Sequence, residues 1–157
     1  MLRMGPSSRG AYNAARAQSL PIPSRPATEM PKLPHDPTSL GDKELMMLYS
    51  EFTAWSDYLS VQVACAATDE KAAQSALDVM EAKALFDKTS SGNKITEARS
   101  AVKFEDEVIQ QKAIVAELEA YRKLTEALYN SLERDAQLLS RELTRRSSST
   151  RREGYHP

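Results

Sequence analysis

Proline is confined almost entirely to the beginning of the chain. Seven of the eight prolines lie between Pro6 and Pro37, and the eighth is the last residue. Proline fixes φ and has no backbone N–H, so the interior of a helix excludes it. Residues 1–37 are therefore predicted to be an extended or disordered, basic arm. The stretch from Thr38 to Tyr155 has no proline and is free to form long helices.

A first long helix is predicted over residues 42–88. This segment is rich in Ala, Leu, Glu and Lys, which favour helix. Apolar residues from Leu45 to Ala84 follow an alternating three- and four-residue spacing, which is typical of a coiled coil. The predicted seam residues of this helix, for the core or for oligomer contacts, are Leu45, Leu48, Phe52, Trp55, Leu59, Leu77 and Met80.

A second long helix is predicted over residues 96–146, after a polar hinge at residues 89–93 that contains Gly92. Thr96 is the expected N-cap. Two helices of similar length joined by a short loop fold back on each other. The predicted fold is thus all-α, with an antiparallel two-helix coiled-coil hairpin over 38–146 and a basic, disordered tail over 147–157. The seam residues predicted on the second helix are Leu118, Tyr121, Leu128 and Leu132.

The composition predicts a thin core. The chain has 21 alanines but only three Phe, one Trp and six Tyr as large aromatic side chains. Alanine buries little apolar surface, so two such helices leave much of their surface to be covered by other molecules. We therefore expect a homo-oligomer.

Charge is distributed unevenly, although the net charge is only −1. Residues 1–35 carry a net +4, residues 141–157 a net +3 and the segment between them a net −8. Arginine pairs with phosphate in a bidentate manner, so the basic end is a candidate nucleic-acid site. The alternative is a solubilising tail, or a helix end whose cations complement the helix dipole. The candidate residues are Arg141, Arg145, Arg146, Arg151 and Arg152, with a weaker basic set of Lys94, Arg99 and Lys103.

Catalytic signatures are missing from the sequence. The histidines are His35, in the proline-rich arm, and His156, beside the last residue, so neither is placed for nucleophilic catalysis. Cys65 lies in an alanine-rich helical run and is predicted to be a small core residue. We expect no enzymatic activity, no metal and no cofactor. No apolar run is long enough to span a membrane, and the first residues lack a secretory signal.

Part of the chain resembles the UvsY family of phage recombination mediators. The resemblance covers about residues 42–146. It rests on the segment 47–52 (Met-Leu-Tyr-Ser-Glu-Phe), the charged Ala-rich helix with a Gly-containing hinge, the segment 106–108 (Asp-Glu-Val), and the arginines of 140–146. The resemblance implies a ring-forming helical protein that binds single-stranded DNA. It also implies partners, namely a recombinase and a single-strand-binding protein.

Three functions follow as hypotheses. The first is an accessory protein of phage-type recombination or replication, located in the cytoplasm of the infected host cell, which binds single-stranded DNA through the basic residues. The second is a structural or assembly protein of a virion, in which the proline-rich arm lies along neighbouring subunits. The third is a regulator that docks a coiled coil on a host enzyme such as a polymerase or nuclease.

Overall fold

The computed structural model describes residues 5–153, with side chains to residue 149, and over that range the regular secondary structure is helix, with no strand. The two longest helices pack together, so the prediction of an all-helical chain built on two long paired helices is confirmed. The elements are α1 (Pro6–Ala17), a 3-10 turn (Pro37–Ser39), α2 (Asp42–Ser90), α3 (Ile95–Val102) and α4 (Asp106–Glu153).

The N-terminal arm departs from the prediction. Residues 6–17 form α1 rather than extended chain. Pro6 is compatible with this helix because it occupies the first turn, where its missing N–H has no intrahelical partner to lose. The next proline, Pro21, follows the end of the helix. Between residues 20 and 36 the chain has no helix or strand. The prediction of an extended arm was therefore wrong for residues 6–17.

The second predicted helix is divided. α3 begins after Lys94 and ends at Val102, and a short turn closed by the N–H groups of Phe104 and Glu105 separates it from α4. Thr96 lies inside α3 and is not its N-cap. The turn preceding α3 contains Gly92, whose φ of +93° favours glycine.

The tail also differs from the prediction, because α4 continues to Glu153 instead of ending near residue 146. The hydroxyls of Ser147 and Ser148 donate to the carbonyl of Thr144, and that of Ser149 donates to the carbonyl of Arg146. A serine hydroxyl that donates to a carbonyl of the preceding turn has a hydrogen-bond partner within the helix, so these serines are compatible with a continuous α4. Residues 154–157 of the predicted tail lie outside the described residues.

The chain divides into two compact units. Unit 1 comprises the described residues up to Leu20 together with 63–124. Its core is formed by Leu77 of α2, Val102 of α3 and Val108 of α4, and Ala84, Leu85 and Val115 pack against them. The carboxylate of Glu70 on α2 pairs with the guanidinium of Arg122 on α4. This pair joins neighbouring turns of α2 and α4 within unit 1.

Unit 2 comprises residues 21–62 together with 125–153. Its buried apolar residues on α2 recur with the predicted heptad spacing, and α4 contributes Leu132 and Leu139. Within this unit, the predicted seam residues Leu45, Phe52, Trp55, Leu59 and Leu132 are buried.

The remaining predicted seam residues vary in exposure. Leu77 is buried, whereas Leu48, Leu118 and Tyr121 are half-buried. Met80 and Leu128 are exposed by 37% and 46% in the single chain. Among residues 5–153, no helix is both long and apolar enough to cross a membrane.

Candidate functional site

Helix α1 is attached to unit 1 by the carboxylate of Asp69, which projects from α2. Asp69 Oδ2 accepts hydrogen bonds from the Gly5 N–H at 2.7 Å and from the Ser8 hydroxyl at 2.6 Å. Asp69 Oδ1 accepts from the Ser8 N–H at 2.9 Å. The first N–H groups of a helix have no partner within the helix, so Asp69 caps α1 from a different part of the chain.

The electrostatic environment keeps Asp69 ionised. Burial acts to raise the pKa of this carboxyl, because Asp69 is only 7% exposed. The hydrogen bonds from Ser8 and Gly5 and the charge of Arg9 act in the opposite direction, and they hold the pKa below its usual value. The positive end of the α1 dipole favours the same charged form. Asp69 is therefore a carboxylate that helps to hold α1 in place.

The fit at Gly5 is close. A Cβ atom at this position would lie 2.7 Å from Cγ of Asp69, which is inside van der Waals contact. An apolar groove of about 350 Å³ opens beside this contact, between α1, α2 and α4 within unit 1. Ala66, Ala73 and Leu118 line the groove. We call Asp69 and this groove the α1 socket.

The extended part of the arm is anchored in unit 2 by Trp55. The indole N–H of Trp55 donates to the carbonyl oxygen of Glu29 at 3.1 Å. The guanidinium of Arg25 lies 5.7 Å from the centre of the indole ring, within cation–π range. Tyr58 packs its ring edge-to-face against the indole, with centroids 5.9 Å apart. The arm residues 25–29 are thus held against α2.

Arg146 was predicted to bind nucleic acid, but its guanidinium is engaged within unit 2. Nη1 donates to the carbonyl of Leu40 at 2.8 Å and to Asp42 Oδ1 at 2.7 Å, and Nη2 donates to the carbonyl of Thr38 at 3.0 Å. Nε donates to Glu142 at 2.8 Å, and the side chain is only 19% exposed. Arg146 therefore fastens the end of α4 to the start of α2.

Arg145 and Arg141 lie on the exposed surface of the same segment. Arg145 is 64% exposed and forms a two-pronged pair with Glu142, with N–O distances of 2.7 and 2.8 Å. The hydrogen bonds from Arg145 and Arg146 lower the pKa of Glu142 to about 2. Arg141 is exposed. These two guanidinium groups are accessible to an anion.

The other predicted basic residues are divided between locations. Arg151 and Arg152 fall on the last turn of α4, and their side chains lie outside the described residues. Lys94, Arg99 and Lys103 are exposed and belong to unit 1. Arg99 and Lys103 line a groove that also contains the carboxylates of Asp78 and Glu81. A phosphate in that groove would meet both signs of charge.

The residues considered for chemistry occupy separate places. Cys65 is buried, and its burial, with the charge of Asp69, raises the pKa of the thiol, so the nucleophilic thiolate is disfavoured. His35 is exposed, and His156 lies outside the described residues. Among residues 5–153, no group of three or more His, Cys, Asp or Glu side chains is arranged to hold a metal ion.

The α1 socket and the partners of Arg146 were not foreseen from the sequence. Asp69 lies in a charged helical stretch, where a carboxylate most often faces solvent, and only the N-cap residue types in the segment 5–8 (Gly-Pro-Ser-Ser) mark the start of a helix. The chain matches no protein-family model, no curated protein and no solved structure.

Proposed function

We propose that the protein is a non-enzymatic, self-associating accessory protein of phage-type DNA recombination or replication, acting in the cytoplasm of the infected host cell. It binds the backbone of single-stranded DNA through the arginine-rich end of α4. It also bridges to a recombinase or a single-strand-binding protein. The observation that carries the proposal is the contrast between Arg146, held inside unit 2, and the exposed Arg141 and Arg145 on the same turns of helix.

The anchoring of Arg146 supports this use of its neighbours. Because Arg146 is bound to Thr38, Leu40 and Asp42, the last turns of α4 are held against the body of unit 2. The exposed arginines therefore project from a fixed helix rather than from a mobile tail. A preordered cationic surface loses less conformational entropy when it binds a phosphate chain.

The C-terminal arginines are a better phosphate site than the basic residues around α3. Glu142 is the acidic group beside Arg145, and its charge is shared with Arg146. The groove beside α3 has two carboxylates next to Arg99 and Lys103. Repulsion between those carboxylates and phosphate offsets the attraction of the cations. The proposed site therefore comprises Arg141, Arg145, Arg151 and Arg152.

The proposed site gives binding that depends on salt and not on base sequence. Each phosphate neutralised on a single strand contributes about −0.7 to the slope of log K against log salt, so four arginines give a slope of about −3. Filter binding of labelled oligothymidylate across a salt series measures this slope. The double variant R141A/R145A should reduce its magnitude by about 1.4.

A matched control keeps the test specific. Arg134 is an exposed arginine on the same helix, outside the proposed site, so R134A should leave the slope almost unchanged. Absence of binding at low salt, or equal losses in R134A and R141A/R145A, would show that the arginine-rich end is not a DNA site.

A virion structural or assembly protein is the second candidate, and the arm is the observation that favours it. Helix α1 of the arm docks in the α1 socket, and a proline-rich segment joins α1 to the long helices. Such a module is suited to contacts between subunits. Mass spectrometry of purified particles separates the two functions, because an assembly protein is present in them and a recombination accessory protein is not.

A further inference from the structure

We propose that two copies of this chain exchange their α1 helices, so that α1 of each copy docks in the α1 socket of the other. The exchanged contact is the one formed by Asp69 with Gly5 and Ser8. The partner is therefore a second copy of the chain, and the surface is the socket in unit 1. The inference goes beyond the proposed function and does not depend on DNA binding.

Helix α1 is a separable part of the fold. It has 12 residues and carries Gly10 in its interior, so it is too short and too poor a helix former to persist alone in water. Its buried side chain is that of Ser8, which is bonded to Asp69. Docking in the socket supplies the hydrogen bonds to Asp69 that an isolated α1 would lack. A second copy presents an identical socket, so α1 keeps the same bonds in either arrangement.

The connection that follows α1 is strained. Ser19 has a φ of +58°, in the left-handed region that residues other than glycine rarely adopt. This conformation closes the end of α1, since Leu20 N–H donates to the Ala15 carbonyl and Ser19 N–H to that of Arg16. A short strained hinge favours exchange, because opening it in the exchanged form releases the strain.

The hinge lies where the two units meet in the sequence. The N-terminal segment of unit 1 ends at Leu20, and the first segment of unit 2 begins at Pro21. Pro21 and Pro23 restrict the residues before them to extended conformations. An opened hinge can therefore continue directly into the extended arm, which is anchored further on at Glu29.

The exchange predicts a concentration-dependent equilibrium. The socket bonds are the same in both forms. Release of the strain at two hinges favours the exchanged dimer, whereas the loss of the hydrogen bonds made by the N–H groups of Ser19 and Leu20 and the entropy of association oppose it. Replacing Ser19 with glycine relieves the strain in the closed monomer. Replacing it with proline, whose φ cannot become positive, prevents the closed form.

A cross-linking experiment on full-length chains tests the exchange. Two single variants, S7C and A73C, are prepared with Cys65 changed to alanine in each, mixed at equal concentration and treated with a short bis-maleimide. Ser7 of α1 and Ala73 of α2 line the same groove and leave the Asp69 contact intact, so an exchanged pair gives a covalent heterodimer on a denaturing gel. The double variant S7C/A73C is the control. A cross-link that forms within its single chain, without any heterodimer from the mixed variants, overturns the proposal.

Light scattering on variants that keep the socket intact gives a second test. The wild-type chain is expected to be a dimer that dissociates on dilution. S19G should raise its dissociation constant by about tenfold or more, because the strain of the left-handed residue is removed from the monomer, and S19P should lower it. A chain that is monomeric at every concentration, or equal dissociation constants for S19G and S19P, contradicts the exchange.

Discussion

The carboxylate of Asp69 on α2 accepts hydrogen bonds from both the backbone N–H and the hydroxyl of Ser8, at 2.9 and 2.6 Å. The two residues are 61 positions apart in the sequence. Through this contact a short N-terminal helix receives its cap from the middle of a long helix. We expect this contact to stabilise the helical conformation of residues 6–17.

Removal of the Asp69 carboxylate is expected to release α1. A hydrogen bond to a charged group contributes about 1.5–3 kcal/mol. The three bonds that Asp69 accepts share one carboxylate and are not additive, so D69A should lower the free energy of opening α1 by about 2–3 kcal/mol or more. S8A, which keeps the backbone N–H bond, should have a smaller effect of about 1 kcal/mol. Hydrogen exchange of residues 6–17 measures both. Unchanged protection of these amides in D69A would contradict the role of Asp69.

Two glycine positions in the same segment should respond in opposite ways. A methyl group at Gly5 would meet Asp69 Cγ at 2.7 Å, so G5A should destabilise the docked helix by about 1–2 kcal/mol. Gly10 has open space around the equivalent position. G10A should therefore stabilise α1 by about 0.5–1 kcal/mol through helix propensity. Exchange protection of α1 that changes in the same direction in both variants would show that the fit at Gly5 is unimportant.

Arg146 and Arg145 should differ in their effect on the fold. R146A removes the bonds to Thr38, Leu40 and Asp42, so it should lower the melting temperature and increase hydrogen exchange in residues 38–42. R145A removes an exposed pair with Glu142, and such pairs stabilise a protein little. Circular dichroism melting of the two variants compares them directly. An equal melting temperature in both would mean that Arg146 does not fasten α4 to α2.

Glu142 should give stability a dependence on acid pH. The pKa of Glu142 is lowered from about 4.5 in the unfolded chain to about 2 in the folded chain. As the pH falls, Glu142 is therefore protonated in the unfolded chain at a higher pH than in the folded chain. The contribution of Glu142 is therefore complete above about pH 4.5 and disappears as the pH falls through about 2. E142Q should show a weaker loss of stability over that interval. The same pH profile of unfolding in wild type and E142Q would contradict the assignment.

Trp55 should control the order of the extended arm. W55F keeps a large aromatic ring in the core but removes the N–H that donates to the Glu29 carbonyl. The variant should show faster hydrogen exchange and faster proteolysis in residues 22–36, with little change in α4. Y49F, on the same helix but outside this cluster, is the control. Arm protection that survives W55F would indicate that other contacts hold the arm.

The sequence was sufficient for the parts of the fold that depend on local pattern. The heptad spacing of Leu45, Phe52 and Leu59 marks positions that the structure buries. The absence of proline between Thr38 and Tyr155 correctly predicted long helices. The sequence carries the heptad signal because residues three or four positions apart lie on the same face of a helix.

The features of the fold that the sequence did not predict depend mostly on contacts between residues distant in the sequence. α1 has weak helix propensity, and its stability comes from Asp69, which no local pattern connects to Ser8. The partners of Arg146 at Thr38, Leu40 and Asp42 lie more than 100 positions away, so a cluster of arginines gave no indication that one of them is internal. The break between α3 and α4 contains neither glycine nor proline.

Hydrogen exchange of the full-length chain with and without oligothymidylate, at low salt, tests the proposed function most directly. Protection is expected at the end of α4, from about residue 140 onward, and it should be lost in R141A/R145A but not in R134A. Protection located around α3 instead, or no protection at any segment, would contradict binding of single-stranded DNA by the arginine-rich end.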